Sequence, residues 1–149
     1  IGCPKWVRTL EDGLQRSPDL ARNLILEMTE KSVMAAPEVA RYFMNDMQKL
    51  GLCFAIDNFG AGQTSLVQLR DFYFGIIKMD GQFTKNLAQS SDNQSLIQPV
   101  IGIAGSFEMF CVAQNVETAS DAEVLTTLGV DCLQGYHLGV PTLTPPWRQ

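Results

Sequence analysis

Apolar residues in this chain fall in short runs, each ending beside a polar or ionisable side chain, and the stretches between them repeat apolar positions at helical spacing. Five runs read as strands: Leu24–Met28, Cys53–Ile56, Gly75–Met79, Met109–Ala113 and Asp131–Leu133. Their polar companions are, in order, Glu27, Asp57, Lys78 with Asp80, Gln114 with Glu117, and Gln134. Cys53 to Gly62 shows the design best: an apolar run delivers Asp57 and Asn58 to a loop turned by Gly60 and Gly62.

The intervening stretches read as helices. Pro4 to Arg16 has Pro at its start and Trp6, Val7, Leu10 and Leu14 on one face. Ser17-Pro18-Asp19 breaks it. Pro37 opens a helix carrying Val39, Tyr42, Phe43, Met47 and Leu50, which stops at Gly51. A short helix is predicted around Ser65 to Arg70. Ser90 to Gln94 reads as a polar loop, followed by a helix over Leu96 to Phe107 with Pro99 in its first turn. The last helix spans Ala119 to Leu128, and Pro141, Pro145 and Pro146 lead the chain out of regular structure.

Strand and helix alternate, and near-continuous apolar strands predict burial on both faces, hence a parallel sheet covered by helices. Right-handed crossovers make such units either an open doubly wound sheet or an arc of a barrel. A doubly wound sheet gathers ligand groups at one switch point, whereas here each successive strand contributes one, as barrel strands do. A complete eight-stranded barrel takes about 250 residues. The expected fold class is therefore α/β, a partial (β/α)8 TIM-type barrel of about five βα units, in one domain over residues 1–149.

Composition narrows the partners. The chain is 46% hydrophobic and 18% charged, ordinary for a soluble globular domain. A net charge of -5 argues against non-specific binding to DNA, RNA or an anionic membrane. No apolar run reaches the roughly 18 residues of a membrane span. The four cysteines lack metal-type spacing, and Cys53, Cys111 and Cys132 sit in apolar runs, so buried thiols in a reducing cytoplasmic setting are expected. His137 is the single histidine, which leaves no His-based metal site. The start at Ile1 reads as a piece of a longer chain.

Oxygen donors at converging strand ends suit Mg²⁺ or Mn²⁺. Two such ions about 3.5–4 Å apart clamp a phosphodiester and activate water. Lys78, two residues from Asp80, would orient that water or neutralise a phosphate; equally, the two residues would form an ion pair in the barrel mouth.

These stretches resemble the EAL family of cyclic di-GMP phosphodiesterases. The family's ExTE, DDFGTG, KID, AEGVET and QGY motifs are matched in order by Glu27-Met-Thr-Glu30, Asp57-Asn-Phe-Gly-Ala-Gly62, Lys78-Met-Asp80, Ala113-Gln-Asn-Val-Glu-Thr118 and Gln134-Gly-Tyr136. The resemblance implies a (β/α)8 barrel with two metal ions at its mouth. It places Glu27, Asp57 and Asp80 at metal-ligand positions and Lys78 beside the metal-bound water. Glu117 matches a carboxylate that supports the site, and Gln134 a polar group of the last strand.

The chain departs from the pattern at chosen places. Asn58 replaces the second aspartate, removing one negative charge from a cation site. Gln114 replaces the glutamate proposed as general base, and an amide takes no proton near neutral pH. Asn115 replaces the motif's glycine, and Gln63 stands where the family's loop usually has an aromatic residue; that loop couples metal binding to dimerisation in the resemblance. No Glu-Ala-Leu tripeptide occurs, and the metal-binding asparagine of the preceding strand would lie upstream of Ile1.

The expectation is a catalytically degenerate EAL-like domain of bacterial cyclic di-GMP signalling. It would bind cyclic di-GMP, a protein partner or a second copy without hydrolysis, with Mg or Mn weakly held or absent. The family implies sensory or GGDEF-type domains upstream. Two alternatives stay open: an active Mg/Mn-dependent phosphodiesterase, and a ligand-free dimerisation scaffold. Among lesser signals, Gly60 and Gly62 would cradle a phosphate or simply form a turn capped by Thr64 or Ser65. Phe72, Tyr73 and Phe74 would stack on guanine or pack the core. Arg8, Arg16, Arg22 and Arg41 read as solvated surface.

Overall fold

A computed structural model describes residues 3–62 and 69–144. Gln63, Thr64, Ser65, Pro145 and Pro146 lie outside the described residues, as does most of the short helix expected there. Five parallel strands form one sheet: β1 (Ile25–Thr29), β2 (Cys53–Phe59), β3 (Ile76–Met79), β4 (Phe110–Ala113) and β5 (Cys132–Leu133). Spatial order equals sequence order, each strand pairing with the next. A doubly wound sheet reverses direction at a switch point, and this sheet never does. Right-handed crossovers of one sense lay all the helices on one face, the arrangement of a barrel arc.

Among the helices, α1 (Pro4–Arg16) and α3 (Pro37–Lys49) each have Pro in the first turn, and α3 ends where Gly51 takes φ +90°. α2 (Glu30–Ala35) starts directly from β1, with Thr29 accepting a hydrogen bond from Ser32 N at 3.2 Å. α4 (Gly81–Thr84) is a single turn capped by Asp80, and α6 (Ala119–Leu128) is capped by Thr118. α5 (Ser91–Ser106) begins five residues before the expected Leu96, so the polar stretch read as a loop is largely helical and Pro99 lies mid-helix. Ser90 explains the early start, accepting from Asn93 N at 3.2 Å with Asp92 in the first turn. Pro99 is exposed, and on the solvent side of a helix the carbonyl it cannot donate to is open to water.

Side-chain alternation separates the two faces of the sheet. Met28, Phe54, Ile56, Ile77, Met79, Cys111 and Ala113 are buried against the helices, where Val33, Met44, Ile97 and Leu125 meet them. The opposite face is not covered as the apolar runs suggested: Ile25 is 49% and Phe110 63% exposed, and Cys132 is exposed. Only Cys111 of the three strand cysteines is buried, because Cys53 and Cys132 fall on this concave face. Phe72 and Phe74 pack in the core with ring centroids 5.8 Å apart, while Tyr73 is exposed. They precede β3 and so lie at the end of the sheet away from the polar strand ends. Arg8, Arg16, Arg22 and Arg41 are exposed, as expected.

Candidate functional site

The C-terminal strand ends meet around Lys78, which is 6% exposed. Its Nζ donates to Glu27 Oε1 at 2.6 Å and lies 3.7 Å from Asp57 Oδ1. Lys78 thus reaches from β3 across β2 to β1. The strand it crosses presents a methyl group, Ala55, in register with Glu27 on one side and Ile76 on the other. A buried ammonium is stable only when paired, and here two carboxylates compensate it.

Asp57 is held on both oxygens by amides. Gln114 Nε2, at the end of β4, donates to Oδ1 at 2.9 Å, and Asn58 Nδ2 donates to Oδ2 at 3.1 Å. A bulge makes the second contact: between Ile56 and Phe59 the β2 strand spends one more residue than β3 does between Ile77 and Met79. The extra residue is absorbed where Asn58 takes φ +54°. Thr84 donates to the carbonyl oxygen of Gln114 and fixes its backbone. Gln114 Oε1 is buried with no hydrogen-bond partner among the described residues.

Glu30 was not among the expected site residues, yet it organises the loop after β2. It is 3% exposed and accepts from Gly60 N at 2.8 Å and Gly62 N at 3.2 Å. The glycine amides that would have cradled a phosphate are therefore occupied by the chain's own carboxylate. Its position next to the capping residue Thr29, ahead of a glycine loop on the adjoining strand, was the available signal. Gly60 has φ +91°, and a Cβ there would come within 2.4 Å of the Phe83 ring.

Asp80 does not pair with Lys78. Its Oδ1 accepts from Gln82 N at 2.8 Å, capping α4, because β3 ends at Met79 and Asp80 has left the strand. Asn58 and Asp80 instead share a hollow of about 720 Å³ with Thr29 and Met34. Glu117 and Gln134 stand apart from the cluster and line, with Gln114 and Asn115, an open groove of about 850 Å³ that Tyr136 borders. Close backbone packing shapes that groove. Val116 N donates to the Gln134 carbonyl at 3.0 Å, and His137 N donates to the Val116 carbonyl at 3.0 Å.

A divalent ion is poorly served by this donor set. Both oxygens of Asp57 face amide hydrogens, and one oxygen of Glu27 faces an ammonium. Among the described residues, no three His, Cys, Asp or Glu side chains are grouped to hold a metal ion. The cluster is built as a hydrogen-bonded ion network.

Known proteins share this fold. The EAL domain family model matches residues 1–141. The bifunctional diguanylate cyclase/cyclic di-GMP phosphodiesterase MucR of Pseudomonas aeruginosa is 31% identical over 135 residues, 91% of this chain and 20% of the relative. The solved structure of the PaMucR phosphodiesterase in complex with c-di-GMP superposes with a TM-score of 0.87 at 29% identity, covering 99% of this chain and 59% of that one. Klebsiella pneumoniae BlrP1, solved with manganese and cy-diGMP at pH 9.0, gives 0.79 at 28% identity over 91% of this chain and 34% of its own. The chain spans about a fifth or less of the curated relatives' length. A match over nearly the whole chain, carried by a barrel arc with acidic and amide residues at its strand ends, makes this chain a member of the EAL domain family.

Proposed function

We propose that this chain serves cyclic di-GMP signalling as a degenerate EAL domain, binding the nucleotide, a protein partner or both without hydrolysing the phosphodiester. One observation carries the reading: Gln114 meets Asp57 as a hydrogen-bond donor, through Nε2 at 2.9 Å. Hydrolysis needs a group that takes the proton of the attacking water, and an amide in this position takes none. Lys78 cannot substitute, because its ammonium is committed to Glu27 and Asp57.

Binding is supported separately. The groove beside the cluster has the volume of a small-ligand site. Its amides, Gln114, Asn115 and Gln134, both donate and accept, which suits the edges of a nucleobase, and Tyr136 offers a ring. The open concave face around Ile25 and Phe110 supports the protein-binding half of the proposal. Relatives named as phosphodiesterases supply the identity of the nucleotide.

Titration calorimetry with cyclic di-GMP, followed by chromatography of the same mixture, tests the reading. Heat of binding with the cyclic dinucleotide recovered intact is expected. Steady appearance of the linear dinucleotide with the unmodified protein would overturn it in favour of an active phosphodiesterase, the reading to which the convergence of Glu27, Asp57 and Lys78 lends support.

A further inference from the structure

We infer that the Asn58 and Gln114 amides, with Lys78 as an internal cation, replace divalent ions in holding the strand ends together, so that the site assembles and takes its ligand without metal. The inference rests on the non-hydrolytic reading above and specifies how the site is regulated: by nucleotide supply alone, independently of Mg²⁺ or Mn²⁺.

The argument begins with charge. Glu27 and Asp57 against Lys78 leave one net negative charge in the cluster. Carboxylates in place of Asn58 and Gln114 would add two more within hydrogen-bonding distance of Asp57, where like charges repel strongly and only a cation relieves them. The amides reverse the sign of both contacts. Each points an N–H at a different oxygen of Asp57, and the ammonium approaches Oδ1 from a third direction. A cation bound to Asp57 would have to displace these donors.

Gln114 supplies an independent observation. Turned over, its oxygen would face Asp57 and be available to a metal, while Nε2 would lose its acceptor. The amide is oriented the other way, although this leaves Oε1 buried and without a partner among the described residues. That orientation gives Asp57 Oδ1 an N–H donor rather than a competing acceptor. The orphaned oxygen belongs to a residue that lines the groove, and an N–H or O–H donor of a bound ligand would reach it once the side chain shifts.

The two amides are also coupled through Asp57. Asn58→Asp or Gln114→Glu alone sets one carboxylate against Asp57 and leaves the other amide bonded; only the double variant recreates a site that requires ions. Asn58 acts only on Asp57 in this scheme, whereas Gln114 also lines the groove. Both are positioning residues for Asp57.

Electron paramagnetic resonance of Mn²⁺ tests this, because free aqueous Mn²⁺ gives a six-line signal that fades on binding. The unmodified protein is expected to leave the signal at its buffer intensity, with the same thermal midpoint in Mn²⁺ and in EDTA. The N58D/Q114E double variant is expected to quench the signal and to melt lower in EDTA than in Mn²⁺. Signal loss with the unmodified protein, or a Mn²⁺-dependent midpoint, would overturn the inference, and needs no variant to fold. A double variant that folds and binds no Mn²⁺ would overturn it as well. Cyclic di-GMP titration in EDTA separates the two readings. Mn²⁺ uptake without hydrolysis sinks the metal-independence alone. Absence of both Mn²⁺ uptake and nucleotide binding sinks the nucleotide reading and, with it, the claim that the site takes its ligand without metal.

Discussion

Glu30 accepts a hydrogen bond from the main-chain N–H of Gly60, 30 residues further along, at 2.8 Å, and thereby ties the start of α2 to the loop that follows β2. A second bond to Gly62 N at 3.2 Å makes the carboxylate a two-point clamp. Charge-assisted bonds of this kind are the stronger ones in proteins. Glu30→Gln keeps the shape and one acceptor while removing the charge. It should cost about 1–3 kcal/mol, read as a lowered urea midpoint, and should speed exchange of the Gly60 and Gly62 amide protons. Unchanged protection at those amides would show that the clamp is incidental.

Lys78→Met removes the cation between Glu27 and Asp57. Breaking a fully buried pair costs about 3–5 kcal/mol. The Glu27 side chain is 49% exposed and can be rehydrated, so a loss of about 2 kcal/mol is expected from denaturant unfolding. Adding Glu27→Gln to the variant should recover part of it, because one of the two stranded charges disappears. A double variant no more stable than Lys78→Met would place the cost in packing.

Gly81 and Asn115 form a tight pair at the mouth. A Cβ on Gly81 would stand 2.2 Å from Asn115 Nδ2 and 2.7 Å from its Cγ. Gly81→Ala is therefore expected to destabilise by about 1–3 kcal/mol through overpacking. Asn115→Gly opens the space and suits the φ of +56° at that position. The two changes should be non-additive, the double variant lying closer to the unmodified protein than Gly81→Ala does.

Burial, with Asp131 and Cys132 adding to it, pushes the Cys111 thiol from its ordinary 9.0 up to about 12. The folded state therefore holds this proton more tightly than the unfolded chain. Stability from this group is complete below pH 9 and declines as pH rises from there towards 12, since the unfolded thiol ionises first. Unfolding midpoints across that window should fall less steeply in Cys111→Ala. At pH 8, a thiol reagent should modify exposed Cys3 and Cys132 rapidly and Cys111 only after denaturant is added.

The barrel arc was legible because each apolar run ends beside a chemical group, and the convergence of Glu27, Asp57 and Lys78 follows from that alternation. What the pattern could not show is which face stays open. An apolar strand has the same composition whether Phe110 meets a helix or stands 63% exposed on the concave side. The two-residue spacing sets Asp80 on the same side as Lys78 if the strand alternation continues, but β3 ends at Met79 and the Asp80 carboxylate turns to Gln82. The bulge at Asp57 and Asn58 left no mark either, since β2 continues to Phe59 through two polar residues that look like the start of a loop. Glu30 is missed for a different reason: the donors it accepts from are main-chain N–H groups, which sequence does not display.

Sequential strand order also sets a timetable for synthesis. Each strand docks on the one made just before it, so the arc can grow from its N-terminal edge as the chain emerges. Glu27 then precedes its cation, Lys78, by 51 residues, and Asp57 precedes Gln114 by 57. A nascent β1–β2 pair carries two carboxylates with no counter-charge until β3 arrives. Its last hydrogen bond, from the Gln114 amide, waits for the end of β4. The contacts around Asp57 thus close only once residue 114 is made, and a chain halted before that point would hold Glu27, Asp57 and Lys78 without the Gln114 bond.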